Sequence, residues 1–151
     1  MRSHLTALTA LAILATVPAT SSAQATRTPA GGTHDAGTHT HAAAAAVKNP
    51  VKSSPESIAA GKKLYDTQCA TCHGTAGKGD GRMAAAMTEP KPSDLTDATW
   101  KHGSTDGEVF TLIRDGSKGT GMRGYASRMK TEDIWNVVNF LKTLAPARKS
   151  H

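Results

Sequence analysis

Three helix patterns follow one another in the C-terminal two-thirds of this chain. The first begins at Ser54, an N-cap residue that is followed by Pro55 at the first helical position. The second begins at Thr105, with Glu108 three residues later as in a capping box, and the third opens at Thr131. In each pattern apolar residues recur at steps of three and four, and no segment between them alternates with period two. The sequence therefore predicts an all-α fold.

The apolar content is low for a domain that must build its own core. Of the 151 residues, 38% are hydrophobic and 4% are aromatic, so a core would consist mainly of Ala, Leu, Val and Ile. This length predicts one domain and leaves little room for a catalytic domain of ordinary enzyme size. The two cysteines exclude a disulfide-dense scaffold and a four-thiolate zinc site.

The basic charge is concentrated at the two ends of the chain. The formal net charge is +6, yet residues 55–147 contain 12 Lys and Arg against 11 Asp and Glu. Proteins that bind nucleic acid gather their basic residues on one folded face. We therefore expect no nucleic-acid partner, and the charge argues only weakly for an acidic one.

The N-terminus has the pattern of a secretory signal peptide. Arg2 supplies the positive start, an apolar stretch runs from Leu5 to Val17, and small residues end at Ala23. The stretch is shorter than the ~18 residues that a membrane span needs, so we expect a signal peptide over 1–23, cleaved near Ala23, and no stable membrane insertion. The alternatives are an uncleaved anchor and a buried helix.

The composition of the segment after the signal peptide predicts a disordered tether. Residues 24–53 are rich in Ala, His and Gly, without periodicity and with almost nothing large to bury. Three histidines, His34, His39 and His41, would either bind a transition metal or form a solvated polar tract. A folded domain over 54–147 and a basic tail over 148–151 complete the expected organisation.

The five residues from Cys69 to His73 read Cys-Ala-Thr-Cys-His, the attachment signal for c-type haem. Near the end of a helix, residues at i, i+3 and i+4 share one face. Cys69 and Cys72 can therefore bond the two vinyl groups of one haem while His73 reaches the iron from the same side. The rival interpretations are a thioredoxin-like redox pair, which expects a βαβ context, and a zinc site, which lacks two further ligands.

An ordered set of further motifs surrounds this sequence, and with it the chain resembles the class I cytochrome c family. The similarity extends to small bacterial mono-haem cytochromes and to the cytochrome c modules of terminal oxidases. It runs from about residue 55 to residue 144, and it implies a small fold of four to five helices around one covalently bound haem. It is carried by Gly61, Tyr65, Cys69 to Gly74, Gly77 to Gly81, Lys91 to Thr96, Met122, Ile134 and Trp135, and Phe140 and Leu141.

Met122 is the expected second iron ligand. It follows Gly121 in an irregular Gly-rich segment, and the family's distal Met occupies this place. Met129, just before the last helix, is the competing residue, whereas Met83 and Met87 are expected to fill the core. Relatives usually continue with Pro after this Met, but here Arg and Gly follow, which predicts a less rigid loop.

The resemblance also suggests residues that contact the haem or its ligands. The carbonyl of Pro92 is expected to accept a hydrogen bond from His73, with Pro90 as second choice; alternatively both prolines merely end a helix. Trp100 or Arg123 would hydrogen-bond a haem propionate, unless the first only packs and the second is only solvated. In the family, the residues at Gly61 and Tyr65 pack against those at Trp135 and Phe140, where the first and last helices cross.

A haem iron held by His and Met has no vacant position for a substrate, so the expected function is single-electron transfer and not catalysis. The protein is expected to be periplasmic and monomeric. Its partners would be a redox donor and a redox acceptor, with a membrane respiratory complex as one candidate. The alternative is a haem peroxidase or a diatomic-gas sensor with a labile Met ligand. A third interpretation is a metal-buffering protein that uses the histidine tract.

Overall fold

A computed structural model of the chain describes residues 42–145. This part is helical, without a β-strand, which confirms the predicted all-α fold. No helix within it is long and apolar enough to cross a membrane. The signal peptide at 1–23, the three tether histidines and the basic tail lie outside the described residues. The elements are α1 (Ala42–Ala45), α2 (Pro55–Gln68), α3 (Ala70–His73), a 3₁₀ turn (Ala84–Ala86), α4 (Asp106–Asp115) and α5 (Thr131–Leu144).

The first long helix and the last one cross at Gly61. A Cβ atom on this glycine would lie 2.0 Å from the carbonyl oxygen of Asn136 and 3.0 Å from the Cβ of Phe140. One turn further along α2, the rings of Tyr65 and Phe140 pack with their centroids 5.1 Å apart. The predicted contact of Gly61 and Tyr65 with Phe140 is therefore confirmed. Trp135 instead stacks on Phe110 of α4, with a centroid distance of 3.9 Å.

The helix starts follow local signals. The side chain of Ser54 caps α2 by accepting from the N–H of Ser57 at 3.2 Å. Thr105 and Glu108 form the predicted capping box at the start of α4, which satisfies two backbone donors that a helix N-terminus leaves free. The Ala/Met-rich segment after residue 82 forms only a 3₁₀ turn over Ala84–Ala86, because the following Pro-rich segment leaves no room for a second turn.

Residues 42–53 pack on the domain, although the composition predicted a disordered tether there. The carbonyl oxygen of Ala44 lies close to Gly107 of α4: a Cβ atom added to Gly107 would be 1.9 Å from this oxygen. The side-chain amide of Asn49 donates to the carbonyl of Trp135 at 3.2 Å and to Oδ1 of Asn139 at 2.8 Å. The described fold therefore begins about twelve residues before the predicted boundary, because Asn49 makes polar contacts with α5 and Val51 packs against the hydrophobic core.

Candidate functional site

The Cys-Ala-Thr-Cys-His sequence lies where α2 ends and α3 begins. Cys69 stands between the two helices, and its N–H donates to the carbonyl of Tyr65 at 2.8 Å. The N–H groups of Cys72 and His73 both donate to the carbonyl of Cys69, at 3.1 and 2.9 Å. This turn brings all three side chains to the wall of one cavity, as their three- and four-residue spacing predicts.

The cavity has a volume of about 510 Å³, which is within the range of cofactor sites in proteins. It is enclosed by α2, α4, α5 and the loops before and after α4. Its wall on the side of α4 and α5 is apolar, which suits a large and mainly apolar ring system. The residues that form this wall are Val109, Leu112, Ile113, Val137 and Leu141.

The Cys69 thiol lacks the lowered pKa of a reactive cysteine. Both cysteines are free and half-buried. Burial, with a smaller contribution from Cys72, raises the pKa of the Cys69 thiol to about 12. Redox-active and metal-binding cysteines are thiolates, which need a lowered pKa. The described residues also contain no cluster of three His, Cys, Asp or Glu side chains that would hold a metal ion. The raised pKa disfavours the redox-pair interpretation at Cys69.

His73 is oriented by the segment that follows the 3₁₀ turn. Its Nδ1 lies 3.1 Å from the carbonyl oxygen of Ser93. Since a carbonyl can only accept, Nδ1 carries the proton and Nε2 keeps its lone pair. Burial lowers the pKa of His73, against an opposing effect of the Ser93 carbonyl. The side chain is therefore neutral near pH 7, as a metal ligand must be.

The carbonyl that accepts from His73 belongs to Ser93 and not to the expected Pro92, which is the preceding residue. The Pro92 carbonyl instead faces Gly79, where a Cβ atom would lie 2.4 Å from its oxygen. The second choice, Pro90, does not make the contact either. Successive carbonyls of an extended chain point in different directions. Because the Pro92 carbonyl faces Gly79, it is the carbonyl of Ser93 that reaches His73.

Tyr65 supports the far end of the turn that carries Cys69, Cys72 and His73. Its hydroxyl donates to the carbonyl of Gly74 at 2.6 Å, directly after His73. The Tyr65 side chain is fully buried, and burial raises the pKa of its phenol. The phenol therefore keeps its proton and remains a donor, which fixes the backbone next to the imidazole.

The loop that carries Met122 is held by hydrogen bonds instead of by a proline. The Met122 N–H donates to Oγ1 of Thr120 at 3.0 Å, and its carbonyl accepts from the N–H of Ser117 at 2.9 Å. The Thr120 hydroxyl itself donates to the carbonyl of Ser117 at 2.7 Å. An isolated β-bridge pairs Gly116 with Arg123. Both backbone groups of Met122 are thus engaged, which offsets the flexibility predicted from Arg123 and the glycine after it.

The methionines differ in whether they line the cavity. Met122 is half-buried and lines it, and so does Met87, whose methyl group lies against Gly121. Met129 packs against the hydrophobic core instead of lining the cavity. Met83 is 45% exposed, so the expectation that it fills the core is wrong. The residue that competes with Met122 for the cavity is therefore Met87 and not Met129.

Trp100 and Arg123, the two expected propionate donors, both line the cavity. Trp100 is half-buried, whereas Arg123 is exposed. Tyr125, another lining residue, donates its hydroxyl to the carbonyl of Gln68 at 2.8 Å and so connects the Met122 loop to the end of α2. The guanidinium of Arg128 lies over its ring, 4.4 Å from the centroid, which is a cation–π geometry.

The residues around the cavity fit a covalently attached haem. One wall offers two cysteines and an imidazole with a fixed tautomer, the Met122 loop offers a soft thioether, and the wall of α4 and α5 is apolar. Three contributors carried no readable signal in the sequence. Ser93 acts through its backbone, which no side-chain pattern reveals, and Met87 resembled ordinary core filler. Ser117 is a third, since a lone serine after a helix is not distinctive.

Comparison with known proteins agrees with this geometry. The Cbb3-type cytochrome c oxidase subunit CcoP of Rubrivivax gelatinosus is 31% identical over 94 residues, which cover 62% of this chain and 28% of that subunit. A chain of the Kuenenia stuttgartiensis reducing HAO-like protein complex matches with 28% identity and a TM-score of 0.61, over 66% of this chain and 50% of that one.

Cytochrome cL from the marine methylotrophic bacterium Methylophaga aminisulfidivorans shares the fold, with a TM-score of 0.50 and 21% identity over 63% of this chain and 55% of that one. The matched part thus spans between about a quarter and just over half of these proteins. The Cytochrome c family model matches residues 58–145, more than half of the chain. This protein belongs to the cytochrome c family.

Proposed function

We propose that this protein is a periplasmic mono-haem c-type cytochrome that transfers single electrons between redox proteins. Members of the cytochrome c family carry a covalently bound c-type haem. The proposed attachment sites are Cys69 and Cys72, and the proposed iron ligands are His73 and Met122. The observation that carries the proposal is that all four side chains line one cavity of about 510 Å³ with an apolar wall.

The haem would supply a single iron that changes between Fe(III) and Fe(II). The chain's own residues would control this centre. His73 is held through Nδ1 by Ser93, which orients its Nε2 and strengthens it as a ligand. Met122 would supply a soft thioether, which raises the potential relative to ligation by two imidazoles. The wall of Val109, Ile113 and neighbouring residues would exclude water.

The relatives support electron transfer as the role of such a domain. CcoP is a subunit of a Cbb3-type cytochrome c oxidase, and the reducing HAO-like chain belongs to a protein complex. We infer that this protein likewise exchanges electrons with redox proteins, of which a membrane respiratory complex is one candidate. The contact with each partner would be small, because rapid turnover requires rapid dissociation. The domain itself would not be an enzyme.

The direct test is a redox titration with optical spectra of the purified haem protein and its Met122→Ala variant. We expect the variant to lose the Fe(III)–S(Met) charge-transfer band and to shift to a lower potential, because the thioether favours Fe(II). Met87→Ala and Met129→Ala are the matched controls, one inside the cavity and one outside it. A band that survives in Met122→Ala and vanishes in Met87→Ala would transfer the ligand role to Met87.

Carbon monoxide separates an electron carrier from the alternative, a peroxidase or gas sensor with a labile methionine. The hydrogen bonds at both backbone groups of Met122 support a ligand that stays bound. We therefore expect the reduced protein to resist carbon monoxide, whereas Met122→Ala should bind it. Rapid stoichiometric binding by the unaltered protein would favour the alternative. A colourless protein with the mass of its polypeptide alone, after expression with the ligation machinery, would refute haem attachment altogether.

A further inference from the structure

Ser117 has a buried hydroxyl that no group in the described part of the chain satisfies. The residue follows the end of α4 and lines the cavity, and it is only 7% exposed. Its backbone is fully used: the N–H donates to the Met122 carbonyl, and the Ser117 carbonyl accepts from the N–H and the hydroxyl of Thr120. The Oγ atom, in contrast, is shielded from solvent and has no hydrogen-bond partner among the described residues.

Such a hydroxyl requires an explanation, because buried polar side-chain atoms in native proteins almost always have a partner. A hydroxyl needs an acceptor for its proton, and carboxylate oxygens are strong acceptors whereas a thioether sulfur is a weak one. A porphyrin of the c type carries its only strong acceptors on two propionate carboxylates. The partner missing from the chain can therefore be supplied by the group that the cavity would hold.

We propose that Ser117 Oγ donates a hydrogen bond to a haem propionate and so positions the haem in its cavity. The inference rests on the proposed function, since it requires a bound haem. Ser117 would thereby connect two parts of the site. Its side chain would hold a carboxylate of the ring, while its N–H holds the carbonyl of Met122 at 2.9 Å.

The test is resonance Raman spectroscopy of the holoprotein in the propionate-bending region. In the parent protein we expect a propionate band that shifts on transfer to D₂O. In Ser117→Ala this band should move to lower frequency and lose that part of the isotope shift, and Ser117→Thr, which retains a hydroxyl, should restore both. The reduction potential of Ser117→Ala should also fall, because a less stabilised carboxylate charge favours Fe(III).

Thr120→Val is the matched control in the same loop. It removes a hydroxyl that hydrogen-bonds the protein at 2.7 Å, so it should perturb the Fe–S(Met) band and leave the propionate band unchanged. If Ser117→Ala also moves only the Fe–S(Met) band, the hydroxyl acts on Met122 and the proposal is overturned. If Ser117→Ala changes neither band, a water molecule satisfies the hydroxyl, and the proposal is equally overturned.

Two further points keep the test decisive. If Ser117→Ala does not accumulate with haem, Ser117→Cys replaces it, because a thiol of similar size is only a weak donor; an unchanged propionate band there would overturn the proposal. The haem content and the Fe–S(Met) band of the parent protein are measured first. If the parent protein lacks haem or the Fe–S(Met) band, the proposed function itself is refuted. If both are present and the propionate band does not change in the Ser117 variants, only the role of Ser117 is refuted.

Discussion

The crossing of α2 and α5 at Gly61 makes opposite predictions for the isolated helix and for the folded protein. In an isolated helix, Gly61→Ala would stabilise by about 1 kcal/mol, since alanine has the higher helix propensity. In the protein, the added Cβ would lie 2.0 Å from the Asn136 carbonyl oxygen. The obstacle is the backbone of α5 and not the end of a flexible side chain, so the helices must separate.

The expected size follows from this geometry. To lengthen the Cβ–oxygen distance from 2.0 Å to an ordinary contact of 3.4 Å, the two helices must move apart by about 1.4 Å, which forfeits about half or more of the dispersion attraction across the gap. Overpacking against a rigid neighbour costs about 3 kcal/mol, at the upper end of its usual range. The gain in propensity offsets about 1 kcal/mol. Gly61→Ala should therefore lower the free energy of unfolding by about 2 kcal/mol.

Thermal unfolding of the haem protein, followed by circular dichroism, measures this change. For a domain of this size about 2 kcal/mol corresponds to a fall in Tm of about 10 °C. Ala60→Gly is the matched control, because Ala60 is exposed on the same helix, and it should cost only the propensity difference of about 1 kcal/mol. A Tm of Gly61→Ala equal to or above that of the parent protein would refute the close crossing.

Three further predictions test other contacts. Asn49→Ala removes two hydrogen bonds that join residues 42–53 to α5 and a third that Val51 N–H donates within the segment, so urea unfolding should show a loss of about 2 kcal/mol; an unchanged midpoint would mean that this segment is not docked. Lys62→Ala breaks only an exposed ion pair, and its effect in the same assay should stay below about 0.5 kcal/mol. The Cys69→Ala/Cys72→Ala protein, which cannot attach haem, should be largely unfolded, because a small domain with few apolar residues needs the haem to complete its core. Native-like helicity and cooperative melting of this haem-free protein would contradict that reasoning.

The Met122 loop shows how tertiary contacts can replace a proline as the source of rigidity. The sequence predicted a softened loop, because Arg123 follows Met122 where relatives usually have proline. In the structure, Thr120 and Ser117 hold both backbone groups of Met122. The loop is thus made rigid by a short network of hydrogen bonds. Its residues are common in loops, so the sequence alone does not single them out.

Local patterns in the sequence determined α2, α4 and α5 and the order of the motifs that are typical of the cytochrome c family. The caps at Ser54 and Thr105 depend on groups within three residues of each other, so they can be identified before the fold is known. The same holds for Cys69 and His73, whose common face is a property of a single helical turn.

Only the tertiary structure decided which distant groups meet. Ser93 and not Pro92 reaches His73, Met87 and not Met129 shares the cavity with Met122, and Asn49 joins the domain across about 90 positions of sequence. Each of these contacts depends on the path of the backbone between separated segments. Neighbouring positions in a loop point their carbonyls and side chains in different directions. Neither composition nor periodicity predicts which position points toward the site.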